Sequence, residues 1–278
     1  MMRLRVGFNK EKGFRFLYIF AFGLLGGYTF SFFNLPLSWV LGPMLFTLIF
    51  TMTYREAYIP PSCTISGFFI LGISLGLYFV PSTGAVIVDN IKYIVVMSLV
   101  TIMLGMINGF FYKKLFKLDW MTVIFGSIPG GLSQMVEIGK ELGGKPEIIA
   151  IQQTLRIVLV VAIIPTIMFF AADSKPSAAV TVNAIEDYSF FDVFLLIGLG
   201  ILGIFIGKVL RIPIPYFTGP LMIISVISLS GYDLVEMPSI LLHLAQVFIG
   251  ITIGTYFKKS NFYEYISICC LAFSQAFH

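Results

Sequence analysis

Apolar runs of 18 residues or more recur along the whole chain, and that recurrence limits the fold more than any other feature. At about 1.5 Å per helical residue, such a run crosses a hydrocarbon core roughly 30 Å thick, where a helix pairs its backbone donors and acceptors internally. The 278 residues are 58% hydrophobic and only 12% charged, against about 25% charged in soluble domains. A soluble globular protein is excluded. The expected class is all-α: a polytopic integral membrane protein.

The chain also repeats itself. LPLSWVLGPML from Leu35 matches IPIPYFTGPLM from Ile212, pairing Pro36 with Pro213, Gly42 with Gly219 and Pro43 with Pro220 at an offset of 177. Gly23 and Gly26 pair with Gly200 and Gly203 at the same offset. LGISLGLYF from Leu71 matches IGITIGTYF from Ile249 at an offset of 178, pairing Gly72 and Gly76 with Gly250 and Gly254. Glycine-rich spans resemble one another because small residues let helices approach closely, yet three collinear windows argue for duplication. The first copy is expected over residues 1–173, basic N-terminal segment included, and the second over 190–278, with 174–189 as an extracytoplasmic loop. A complete second copy would run to about residue 351, so roughly 75 of its residues are expected to be missing and a fragment or truncated product is predicted.

Candidate spans lie near 14–33, 37–54, 64–81, 92–112, 121–139, 148–171, 190–208, 214–231 and 239–257, with a partial one from 263. If all six segments of the first copy crossed, Asp173, Glu186 and Asp187 would be cytoplasmic and Lys258 and Lys259 outside, against the positive-inside rule. If the segment 121–139 is instead re-entrant, Arg3 to Arg15, Lys113, Lys114, Lys117, Lys140, Lys145, Lys208, Arg211, Lys258 and Lys259 all become cytoplasmic. An odd number of crossings per copy then inverts one copy relative to the other, as in many secondary transporters. The N-terminus is expected in the cytoplasm, its first apolar stretch being too long for a signal-peptide core.

Polar chemistry at membrane depth concentrates in two places. In SIPGGLSQMVE from Ser127, Pro129 removes a backbone donor, and Gly130 with Gly131 free the chain from helical geometry. A helix must break there, either as a simple kink satisfied by neighbours or as a site where the next helix aims free N–H groups at a polar ligand. Ser133, Gln134 and Glu137 follow within two turns. Arg156 lies eight residues into the span from Ile148, with Gln152 one turn before it and Gln153 and Thr154 beside it. An Arg at that depth needs a partner or a water-filled path. Two readings stay open: a ligand cavity formed by Arg156, Gln152 and the Gly130 break, with Glu137 pairing to Arg156 or taking part in ion coupling, or a purely structural Glu137–Arg156 ion pair. The candidate substrate-binding set is therefore Pro129, Gly130, Gly131, Ser133, Gln134, Glu137, Gln152 and Arg156.

Other positions carry less. Asn108 in the fourth span is more readily a helix–helix hydrogen bond than a cavity wall. His243 without a second His or a carboxylate is no metal site, and Cys63, Cys269 and Cys270 have neither C-x-x-C spacing nor a neighbouring His. No metal, cofactor or catalytic residue is expected, and the chain is not read as an enzyme. The net charge of +4 is spread over short connections, which suits topology rather than nucleic-acid binding. The partners expected are the lipid bilayer and a small-molecule or ion substrate, with a homo-oligomer left open.

With LGPM at Leu41 to Met44, its echo at Thr218 to Met222, PGGL at Pro129 to Leu132 and QTLR at Gln153 to Arg156, the chain resembles the AbrB family of bacterial membrane proteins, marked by an AbrB-type membrane duplication. The resemblance covers nearly the whole chain. It implies a transporter-like protein of the bacterial cell membrane, linked to regulation of gene expression and often labelled an ammonia monooxygenase. That last label would require clustered metal ligands, and two His with no membrane carboxylate cluster supply none. Direct control of transcription meets a similar obstacle, because no soluble stretch is long enough for a helix-turn-helix domain. The function expected from residues and resemblance together is secondary transport of a small solute, anionic by preference, by an inverted-repeat bundle with a re-entrant segment; the alternative is a membrane protein linked to gene regulation without transport.

Overall fold

The computed structural model describes residues 10–35, 37–53, 58–171, 190–232 and 234–256, and within them it is helical, with no strand. The expected loop 174–189, the partial span from 263 and Lys258 and Lys259 fall outside the described residues. Eleven helices are described: α1 (Lys10–Phe32), α2 (Ser38–Thr53), α3 (Pro61–Leu77), α4 (Pro81–Asp89), α5 (Ile91–Phe116), α6 (Trp120–Ser127), α7 (Leu132–Glu141), α8 (Pro146–Ala171), α9 (Phe190–Val209), α10 (Pro215–Leu229) and α11 (Ser239–Thr255).

Four stretches are long and apolar enough to cross a membrane: Gly13–Phe32, Ile91–Leu115, Pro146–Ile167 and Phe191–Val209. α3 and α4 meet the same test as a pair, but the chain bends by 82° between them. The expected spans 37–54, 214–231 and 239–257 become the shorter α2, α10 and α11, apolar helices of 16, 15 and 17 residues. At about 1.5 Å per residue each falls short of the roughly 30 Å core unless flanking chain completes it. Expectation and structure also part at residues 64–81, where a single span was read and α3 instead ends at Leu77, with Pro81 opening α4. A proline at a first helical position has no N–H to leave unpaired, which favours a fresh start there.

The contacts divide the chain into two units. In the first, Met1–Val88 with Pro165–Thr255, α2 packs on α1 and α11, α10 packs on α9 and α3, and α3 meets α11. Ile19, Val247 and Ile251 form one core cluster; Ile73, Leu196, Ile224 and Met237 form another. Glycines set the closest approaches. A Cβ on Gly26 or Gly42 would strike the carbonyl of the other, and Gly203 and Gly219 stand in the same relation. Gly72 faces the Phe217 carbonyl and Gly76 that of Leu221, while Gly250 faces Val40 and Gly254 faces Met44. Positions paired in sequence at offsets of 177 and 178 thus make paired contacts.

The second unit, Asp89–Ile164 with Tyr256–His278, holds the candidate site. Lys117, with φ 49°, ends α5 in a left-handed turn, and Asp119 caps α6 by accepting from the Thr122 N–H at 2.8 Å. The Thr122 hydroxyl donates to the other Asp119 oxygen at 2.7 Å and accepts the Lys145 N–H at 2.7 Å. After α7, Gly143 takes φ 85°, a conformation cheap only for glycine, and Pro146 opens α8. The chain therefore leaves α7 beside the point where it entered α6. Leu118, Val123 and Ile148 seal this junction as a small apolar cluster.

Candidate functional site

The site begins with a missing donor. α6 stops at Ser127, where the Ile128 N–H still pairs with the Ile124 carbonyl at 3.0 Å. The next residue in line, Pro129, has no N–H, so the Phe125 carbonyl loses its i+4 partner. Gly131 is extended, with φ −66° and ψ 124°, and α7 starts immediately after it, its first bond running from the Met135 N–H to the Gly131 carbonyl at 2.9 Å. The break predicted at Pro129 to Gly131 is present, and α7 turns its opening N–H groups toward it.

α8 supplies the polar side chains that meet this break. Gln153 is fully buried, and its amide nitrogen donates to the Phe125 carbonyl at 2.7 Å and the Ile128 carbonyl at 2.9 Å. Its oxygen accepts from Arg156 Nη2 at 2.6 Å. Three side-chain atoms of this unit are buried without a hydrogen-bond partner: Ser127 Oγ, which faces Gly109 of α5, Gln152 Oε1 and Arg156 Nη1. Gly126 lies directly under the Gln152 amide, so that a Cβ there would overlap it. Of the three, the guanidinium N–H of Arg156 is the charged donor, and the chemistry it suits is an oxyanion.

Of the expected site residues, Pro129, Gly130 and Gly131 form the break, Gln152 packs on Gly126 of α6, and Arg156 is joined to the break through Gln153. Gln134 and Glu137 are exposed on α7, and the Ser133 side chain lies outside the described residues. Arg156 hydrogen-bonds Gln153 rather than Glu137. The expectation that placed Gln152 with Arg156 on an i,i+4 face missed Gln153 as the direct partner at i+3, a spacing that is equally a helix neighbour. The signal for it was available: a proline that strips one donor from a buried carbonyl demands a replacement donor nearby. Asn108 is exposed on α5, and His243 stacks on Trp39 with ring centroids 4.9 Å apart, a packing role.

At the mouth of the hairpin, burial alone would raise the Asp119 carboxyl, but the two hydrogen bonds from Thr122 and the charge of Lys145 hold it below the ordinary aspartate value.

A family model described as transition state regulatory protein AbrB matches residues 39–277. The chain belongs to the AbrB family. Among curated relatives of this AbrB-family chain, the uncharacterized protein YhjN of Bacillus subtilis (strain 168) is 29% identical over 270 residues, covering 88% of this chain and 70% of the relative. A protein of Escherichia coli (strain K12), named as a proposed regulator AbrB, is 27% identical over 228 residues, covering 81% of this chain and 65% of the relative. No solved structure matches the chain.

Proposed function

We propose that this AbrB-family chain is a multi-pass protein of the bacterial cell membrane that moves a small anionic solute, binding it between Arg156 and the break at Pro129 to Gly131. One observation carries the reading. Arg156 sits in an apolar helix with a free, buried Nη1 and no acidic partner among the described residues. An unpaired Arg at a helix centre costs about 2.5 to 3.5 kcal/mol on insertion scales, and a bound anion would offset that cost. The opening N–H groups of α7 favour the same charge.

The proposed architecture is a pair of inverted copies with the N-terminus in the cytoplasm. Its support is the Thr122–Lys145 contact, which brings the exit of α7 to the entrance of α6 as a re-entrant segment requires, and the basic loops, which then share one side. Whole cells carrying single cysteines at Glu141 or Ser177 test it: external labelling is expected at Ser177 only, and labelling at Glu141 overturns it.

Transport is tested with the purified protein in liposomes on a solid-supported membrane, using formate, acetate, lactate and succinate. Charge movement is expected with at least one of them, falling at least 10-fold in Arg156→Ala and in Gly130→Leu while both variants still insert. Unchanged currents in both variants sink the site. The second reading, a regulatory membrane protein, draws on the name of the Escherichia coli relative. It predicts no current from any of the four anions and a protein partner retained on the loop from Lys113 to Asp119.

A further inference from the structure

Gln153 appears in no expected set of binding residues, yet among the described residues its side chain hydrogen-bonds both halves of the candidate site. Its amide nitrogen has two hydrogens, and each is taken by a carbonyl at the break, Phe125 at 2.7 Å and Ile128 at 2.9 Å. The first of these is the carbonyl that Pro129 leaves without its helical donor. Its oxygen takes one arm of the Arg156 guanidinium at 2.6 Å. These three partners fix the orientation of the amide, because a flip would set its oxygen against two carbonyl oxygens and its NH2 against a cation. Held in this way, the guanidinium keeps its other arm, Nη1, buried and without a hydrogen-bond partner.

We propose that Gln153 is the positioning residue of the site: it replaces the donor lost at Pro129, holds the α6–α7 break in its ligand-receptive shape, and aims Arg156 Nη1 at the bound anion. The aiming role rests on the anion-site reading above, whereas the grip on the break does not.

The grip is distinguishable from ordinary packing because a single backbone hydrogen can replace part of it. Pro129→Ala restores an N–H at position 129 that can serve the Phe125 carbonyl, while Gly130 keeps the chain free to turn. If Gln153 exists to supply that donor, its loss matters less once Pro129→Ala is present. Two side chains that merely pack would give additive effects instead.

The experiment uses the full chain in liposomes, with Cys63, Cys269 and Cys270 replaced by serine and one new cysteine at Gly131 or, as a control, at Glu141. The atoms nearest a Cβ added at Gly131 belong to the flexible end of Gln134. The rate of alkylation by N-ethylmaleimide is the readout, with insertion and thermal unfolding followed in parallel. Gln153→Met, which removes all three hydrogen bonds at similar length, is expected to raise alkylation at position 131 at least 10-fold and leave position 141 unchanged. Gln153→Glu, which keeps an acceptor for Arg156 but offers the carbonyls no donor, is expected to do the same. Adding Pro129→Ala to Gln153→Met is expected to recover most of the protection. Equal alkylation in the wild type and in a folded Gln153→Glu protein overturns the proposal, as does strict additivity with Pro129→Ala. Should Gln153→Met fail to insert, the pair Gln153→Glu and Gln153→Glu with Pro129→Ala decides alone. Failure of the anion site has a separate signature: Arg156→Ala and Gly130→Leu both leave the currents intact although the Gln153 variants still expose position 131.

Discussion

Thr122 and Arg156 show how much of this molecule depends on single polar atoms. The Thr122 hydroxyl is fully buried and joins Asp119 to the Lys145 backbone. Thr122→Val keeps the shape and orphans both partners, so a loss of about 1 to 3 kcal/mol is expected in thermal or denaturant unfolding of the detergent-solubilised protein. Asp119 adds a pH dependence whose direction is fixed. Because its folded carboxyl titrates below the ordinary value, its contribution is complete above that value and is lost as pH falls through the lowered one. The melting-temperature advantage of the wild type over Asp119→Ala should hold at neutral pH and shrink below about pH 4. Arg156 and Gln152 stand out in the sequence as polar groups in an apolar span. Gln153 was seen only as a neighbour, since spacing alone cannot choose between i+3 and i+4 on a helix whose rotation is unknown. The place of Glu137 was open for a related reason: the face that α7 turns outward is set by its packing on α6, and that face carries Gln134 and Glu137.

At the scale of elements, glycine contacts separate helices that must touch from helices that merely lie near. Gly219 meets the Gly203 backbone so closely that no side chain fits, whereas a Cβ at Gly198, also on α9, meets nothing within 4 Å. Gly219→Ala should therefore force α9 and α10 apart and sharply reduce the folded fraction in size-exclusion chromatography. Gly198→Ala should be neutral or stabilise by about 0.5 to 1 kcal/mol, the helical gain over glycine. The apolar runs announced the long helices, and Pro129 with its two glycines announced the break between α6 and α7. The 82° bend between α3 and α4 was not announced. Tyr78, Phe79 and Val80 continue the apolar run across it, so hydropathy has no feature there, and Pro81 alone marks the new start.

Across the whole of the first unit, the third helix of each repeated stretch lies on the second helix of the other: α3 on α10 and α11 on α2. The matched glycines are legible in the sequence, but the exchange is not, because two similar segments present similar surfaces and sequence does not say which will meet which. Cutting the chain at Ser177 is expected to give two pieces that co-purify when co-expressed and are degraded when expressed singly. Stable accumulation of residues 1–177 as a folded monomer would contradict this.

The exchange also sets a timetable for synthesis. α2 is finished about 200 residues before α11, and at roughly 5 to 20 residues per second the ribosome needs on the order of 10 to 40 seconds to cover that distance. Throughout that interval the face of α2 at Val40 and Met44, which receives Gly250 and Gly254 of α11, has no partner from its own chain, so nascent copies on neighbouring ribosomes compete for it, and a slowly translated or interrupted message favours pairing between chains over completion of one.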